Sequence, residues 1–193
     1  MEARQLINFL NIIEKLKCNT RHCWTSTGRH ESIAEHSWRL AVMVLLVAEE
    51  FPELDIEKVV KMSLIHDFGE AITGDIPSFD KTEADERAEE LAITELLQKL
   101  PPTIGAEFKG LFQEMSELQT GEAKLFKALD NLEAILSHNE ASIDTWIPRE
   151  YTDNLTYGTD KVAHSTYLQN LKEELKKDSL QKIKDAEQQN AKT

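Results

Sequence analysis

Ser32-Ile33-Ala34-Glu35-His36-Ser37-Trp38-Arg39-Leu40-Ala41-Val42-Met43-Val44-Leu45-Leu46-Val47-Ala48 is the stretch that decides the fold. Its first four residues form a capping box, in which the Ser32 hydroxyl accepts from an amide of the first helical turn while the Glu35 carboxylate reaches back to the Ser32 amide. The residues that follow are apolar on nearly all sides, so the predicted helix, running to about Glu50, is expected to be central. Leu40 to Ala48 is the longest uncharged apolar stretch in the chain, nine residues. A bilayer span needs about 20, and no segment is expected to cross a membrane.

Outward from this helix the same period recurs. Leu6, Phe9, Leu10, Ile13 and Leu16 mark one stripe of a first helix ending near Lys17 to Thr20, and a polar, irregular segment from Thr20 to Glu31 joins the two. After the break at Phe51-Pro52, Asp55 caps a third helix from Ile56 to about Ile72, stopped by Gly74 and Pro77. Thr82 to Leu100 and Pro102 to Leu118 supply two more, the first densely charged and expected on the surface. Thr120 caps a helix through about Asn139 with Leu125, Leu129, Leu132 and Leu136 on its apolar face. A loop around Trp146 and Pro148 leads to a last helix, about 160–186, with a fraying tail. Seven glycines and five prolines are too few for the turns of an all-β chain, and no stretch alternates cleanly enough for a sheet. The expected fold is all-α, a single-domain helical bundle over residues 1–193 with no repeat or linker.

The composition narrows function. Twenty-two Lys+Arg against thirty-five Asp+Glu give a net charge of −13. Polynucleotide binding, driven by Lys and Arg neutralising phosphates, is therefore not expected, whereas a small anion remains compatible with a local cluster of cations. The N-terminus passes from Met1-Glu2-Ala3-Arg4 straight into an amphipathic pattern without the features of a secretory signal, so a cytoplasmic protein is expected, with Cys18 and Cys23 as free thiols. With His22 they lack the second half of a zinc motif.

The informative residues are polar ones on helices that should be buried, because burying an unpaired His or Asp costs several kcal/mol. His36 sits one turn into the apolar helix, His66-Asp67 follows Met62, Leu64 and Ile65, and Asp130 lies between Leu129 and Leu132. Three helices each carrying an imidazole or carboxylate inward is a way bundles build metal sites. Two imidazole nitrogens and two carboxylate oxygens suit one divalent ion, Mn, Fe, Co or Ni, with Zn and Mg the remaining candidates, and leave positions open for water and substrate. Taken singly, an interior His is more often a satisfied core residue than a ligand, and Asp130 could equally be an ordinary carboxylate on a helix surface. Glu70, one turn beyond His66, and Asp75 after Gly74 add carboxylates that could act as general base or acid. His30, His138 and His164 have no partner pattern and are expected on the surface.

The order His36, His66-Asp67, Asp130 resembles the H…HD…D pattern of the HD-domain metal-dependent phosphohydrolases. The likeness covers roughly Glu31 to Glu140 and is carried by Glu31-Ser32-Ile33-Ala34-Glu35-His36-Ser37, by His66-Asp67-Phe68-Gly69-Glu70-Ala71-Ile72-Thr73-Gly74-Asp75-Ile76-Pro77, and by Lys127-Ala128-Leu129-Asp130-Asn131-Leu132. The middle run is similar to the HD-x-x-E-x-x-x-G-D-x-P signature of the 5'-deoxynucleotidase-like branch. The resemblance implies that His36, His66, Asp67 and Asp130 hold the ion and that Glu70 and Asp75 position and activate water. An adjacent Arg-Trp pair contacts the nucleotide in that branch; its nearest equivalents, Arg21 and Trp24, are separated here by His22-Cys23.

Lys17, Arg21 and Arg29 are cations of the segment before the His36 helix that could dock a phosphate, and Trp24 could stack on a base. The expected function is hydrolysis of a small nucleotide, a deoxyribonucleoside 5'-monophosphate first, with cyclic or pyrophosphorylated nucleotides as alternative substrates. A non-catalytic nucleotide- or metal-sensing module is the rival of another class, disfavoured because binding alone needs no water activator. The Asn139 to Gly158 segment sets Trp146, Ile147, Tyr151 and Tyr157 among polar residues, which, with the dimers common in the resembled family, leads to the expectation of a homodimer.

Overall fold

A computed structural model describes residues 1–191. The helices are α1 (Ala3–Ile13), α2 (Ile33–Leu46), α3 (Ile56–Ile65), α4 (Glu70–Thr73), α5 (Glu83–Leu97), α6 (Pro102–Glu117), α7 (Gly121–Glu140), α8 (Glu150–Thr156) and α9 (Thr166–Asn190). The all-α expectation holds, and among the described residues no helix is long and apolar enough to cross a membrane. The segment read as irregular is in fact a hairpin of β1 (Thr20–Trp24) and β2 (His30–Ser32). Its turn closes with the Thr25 amide donating to the Arg29 carbonyl at 2.7 Å and with Gly28 at φ 81°, a conformation that glycine adopts without steric cost.

The chain divides into two compact units, Met1–His22 with Glu31–Phe126, and Cys23–His30 with the residues from Lys127 onward. In the first unit α2 packs on α3, α3 on α6, and α5 on both α4 and α6. Ile33, Leu40, Val44, Val59, Met62 and Leu96 are fully buried there. The capping box at Ser32 is present, the Ser32 amide donating to Glu35 at 2.9 Å and the Glu35 amide to the Ser32 hydroxyl at 3.3 Å. Asp55, Thr82 and Thr120 cap α3, α5 and α7 as their side-chain chemistry dictates.

Three expectations about these helices are corrected. The α2 helix is not buried all round, since Trp38 and Leu45 on its outer face are 63% and 60% exposed. The helix expected from Ile56 to Ile72 stops at Ile65, and the tight turn that follows carries backbone bonds from Phe68 to Ile65 and from Glu70 to Asp67 before α4 begins. The last helix begins at Thr166 rather than Asp160, because Ser165 caps it, and remains helical to Asn190 instead of fraying after 186; the rest of the expected tail, residues 192–193, lies outside the described residues.

In the second unit α8 packs on α9, and Leu129, Leu132 and Leu168 are fully buried. His138, expected at the surface, is buried beside Cys23: its Nδ1 lies 2.8 Å from Asn154 Oδ1 and its Nε2 3.1 Å from Cys23 Sγ. Trp146, expected to be exposed in a loop, is buried as well, its Nε1–H donating to the His138 carbonyl at 2.9 Å. A polar network thus fills the space that an apolar side chain would otherwise occupy. Ile147, Tyr151 and Tyr157 do remain exposed. Among the described residues neither cysteine is in a disulfide; Cys18 is exposed and Cys23 buried.

Candidate metal centre

His36 is set on the first turn of α2 by the capping box and is 1% exposed. His66 and Asp67 emerge where α3 gives way to the turn. The ligand atoms of His36, His66 and Asp67 all lie within 4.8 Å of one another, and the two imidazole rings stand edge to face with centroids 5.2 Å apart. Ser63 fixes the tautomer of His66. Its carbonyl can only accept, so the Nδ1 that sits 2.9 Å away must carry the hydrogen, leaving the Nε2 lone pair for a cation. That Nε2 faces Asp67 Oδ2 at 3.0 Å. An imidazole nitrogen and a carboxylate oxygen at this distance are bridged either by a shared hydrogen or by a cation that both coordinate. The donor set therefore fits a divalent ion.

Next to this cluster, the broken helix aims Glu70 inward. Glu70 is 6% exposed, its Oε2 has no hydrogen-bond partner among the described residues, and its backbone carbonyl accepts from Asn19 Nδ2 at 2.8 Å. Burial, reinforced by the negative charges of Asp67, Asp75 and Glu89, pushes its carboxyl up to about 10, against the opposing pull of Arg21. Asp75, at the end of α4, is also raised, chiefly by burial, with Arg21 opposing and Asp67 adding to the shift. Gly74 makes the corner between them at φ 78°, and Gly69 lets α5 approach, since a Cβ there would lie 2.6 Å from Glu89 Cγ.

Arg21 is brought into this electrostatic field on β1. Its guanidinium donates to Glu31 at 3.2 Å with only 12% of its side chain exposed, and Arg39 approaches the other Glu31 oxygen at 3.8 Å. Glu31 is 5% exposed, so Arg21 does not pair with a surface carboxylate. Lys17 is not drawn in: it is an exposed partner of Glu14. Arg29, on the hairpin turn of the second unit, donates to the His30 carbonyl, and Trp24 lies in that unit too, its ring 3.9 Å from that of His30. Asp130 is on the part of α7 that belongs to the second unit, where Lys127 donates to it at 2.8 Å. Glu31, Lys81 and Glu89 were not singled out from the sequence; the only local signal was their charge, since the partners that give them meaning lie at other places in the chain.

Residues 13–172 match the family model described as HD domain. Among curated proteins, the bovine 5'-deoxynucleotidase HDDC2 is 36% identical over 142 residues, spanning 72% of this chain and 68% of that one. The 5'-deoxynucleotidase hdd1 of Schizosaccharomyces pombe is 32% identical over 142 residues, 69% of this chain and 71% of that protein. A crystal structure described as a predicted metal-dependent phosphohydrolase from Magnetospirillum magnetotacticum superposes with a TM-score of 0.79 at 29% identity, covering 93% of each chain. The PH0347 protein of Pyrococcus horikoshii gives 0.73 at 26% identity over 89% of this chain and 99% of that one.

Proposed function

The chain belongs to the HD domain family, and from that premise we propose that it is a divalent-metal-dependent phosphohydrolase of small nucleotides, with deoxyribonucleoside 5'-monophosphates as the preferred class. The observation that carries the proposal is the convergence of His36, His66 and Asp67 within 4.8 Å, with the buried, half-unsatisfied Glu70 carboxyl in their field. A nucleotide sensor would have no use for such a group. Asp130 is assigned as the fourth ligand on the strength of the motif. The ion, of the Mn, Fe, Co or Ni type with Zn and Mg as the remaining candidates, would polarise the phosphoryl oxygens and acidify water.

The chain's own groups do the rest. Glu70 would take the proton from the attacking water, since a bound divalent ion would offset the burial and neighbouring negative charge that keep its carboxyl protonated in the metal-free protein. Asp75 orients that water. Arg21 binds the phosphate, and Trp24 stacks on the base. We further assign the protein to the cytoplasm, without polynucleotide partners and as a homodimer, whose monomeric mass in sedimentation at micromolar concentration would be the contrary result.

The test is phosphate release from a panel of nucleoside monophosphates with added Mn²⁺ or Co²⁺. Deoxyribonucleoside 5'-monophosphates should be turned over and a chelator should abolish it; release from cyclic or pyrophosphorylated nucleotides alone would reassign the substrate. Arg21→Ala should lower kcat/KM by about 1.5–3 kcal/mol, the worth of a charge-assisted hydrogen bond to phosphate, with metal content intact. Kinetics equal to the parent would remove Arg21 from the site and leave it as the partner of Glu31.

A further inference from the structure

The turn that follows Asp75 brings another cation to the same carboxylates. From Pro77 to Lys81 the chain doubles back, the Asp80 and Lys81 amides donating to the Pro77 carbonyl at 2.8 and 3.1 Å. Phe79 stands edge-on to the His22 ring with centroids 5.4 Å apart, which pins the turn to β1 one residue beyond Arg21. At the end of the turn the Lys81 ammonium forms an ion pair with Glu89. Glu89 in turn lies directly on Gly69, whose missing Cβ would stand 2.6 Å from Glu89 Cγ, and Gly69 sits between Asp67 and Glu70 in the chain. Lys81 is thereby fastened to the backbone of the metal-ligand turn through a single carboxylate.

Its charge is felt where the chemistry is. Asp67 and Glu70 both act on Lys81, and Lys81 acts on Asp75. A phosphate dianion entering beside Asp67, Asp75 and Glu89 meets negative charge that Arg21 by itself does not balance. Lys81 keeps 25% of its side chain exposed, so its ammonium is held yet reachable, and Glu89 needs only part of its three-donor capacity. We propose that Lys81, held in place by Glu89, is a second phosphate-binding cation of this site, acting with Arg21 on the phosphoryl oxygens of the substrate and on inorganic phosphate as product. The proposal rests on the phosphohydrolase reading above.

Inorganic phosphate binding to the Mn²⁺-loaded protein tests it without depending on turnover. Lys81→Met should weaken phosphate at least about tenfold, the scale of one charge-assisted hydrogen bond, and raise KM for a nucleoside monophosphate in parallel. Metal content should not change, and Lys81→Arg should restore most of the affinity, a rescue that a merely structural ion pair would not produce for phosphate. If Lys81→Met does not fold, Lys81→Gln is measured in its place, with the same expected loss. Unchanged phosphate affinity in a folded, active variant overturns the role of Lys81 and leaves the function standing. A parent protein that neither binds phosphate nor hydrolyses any nucleotide overturns both.

Discussion

Asp67→Ala is expected to purify without its divalent ion and without activity. The substitution takes the carboxylate from the His36–His66–Asp67 group, whose ligand atoms lie within 4.8 Å of one another, and leaves two imidazoles with Asp130 as the one remaining carboxylate of the proposed ligand set. Losing one of two anionic ligands weakens coordination of Mn²⁺ or Fe²⁺, and the lost anion is also the group facing His66 Nε2 at 3.0 Å. The fold should survive, because Asp67 sits on the turn between α3 and α4, where the bond from the Glu70 amide goes to its backbone carbonyl and not to its side chain. Elemental analysis is the direct measurement: a variant with the parent's metal content would sink the assignment of this cluster, whatever its activity.

Glu70→Gln should separate metal from chemistry. The amide keeps the shape of the side chain but cannot accept a proton, so metal content should match the parent while turnover falls by about 10²–10⁴-fold, the usual cost of losing a general base. Near-parental turnover would return Glu70 to a structural role. Stability gives an independent readout. In the metal-free protein the folded-state carboxyl is pushed up to about 10 from an ordinary value of 4.5. Across the window from 4.5 to about 10 the unfolded chain releases this proton while the folded protein keeps it, so metal-free stability declines as pH rises. Gln has no proton to release. Urea melts in chelator should therefore show parent and variant close together at pH 5, with the variant ahead by about 1–3 kcal/mol near pH 8. A gap that does not widen with pH would mean that the Glu70 carboxyl ionises normally in the fold.

What could be read from the sequence was what is decided within a few residues. The Ser32–Glu35 capping box, the caps at Asp55 and Thr120, and the helix start at Pro102 each depend on local hydrogen bonding or φ, and each stands where the residues place it. His66-Asp67 was legible because two polar residues interrupt an apolar run. The break of the helix after Ile65 was not, since Phe68, Ala71 and Ile72 sustain a helical period. Gly69 gives no local sign of the break either, since its backbone is helical and its missing Cβ leaves room for Glu89, twenty residues later. The hairpin escaped for a different reason: Thr20-Arg21-His22-Cys23-Trp24 carries no alternation of apolar and polar residues, although Gly28 gave a usable turn signal. His138 looked partnerless in sequence because Cys23 and Asn154, which bond its two ring nitrogens, lie 115 and 16 residues away.

Glu31 sits at 5% exposure with Arg21 at 3.2 Å on one oxygen and Arg39 at 3.8 Å on the other. A free arginine on a surface loop explores many rotamers, and fixing it around a ligand costs up to about 2 kcal/mol of side-chain entropy. Arg21 gives up that freedom when the chain folds, because strand, helix and buried carboxylate together hold its guanidinium before any phosphate arrives. In the proposed role of Arg21 a nucleotide would meet a rigid fork instead of a moving one, and the binding energy of the phosphate contact would be kept for affinity and alignment.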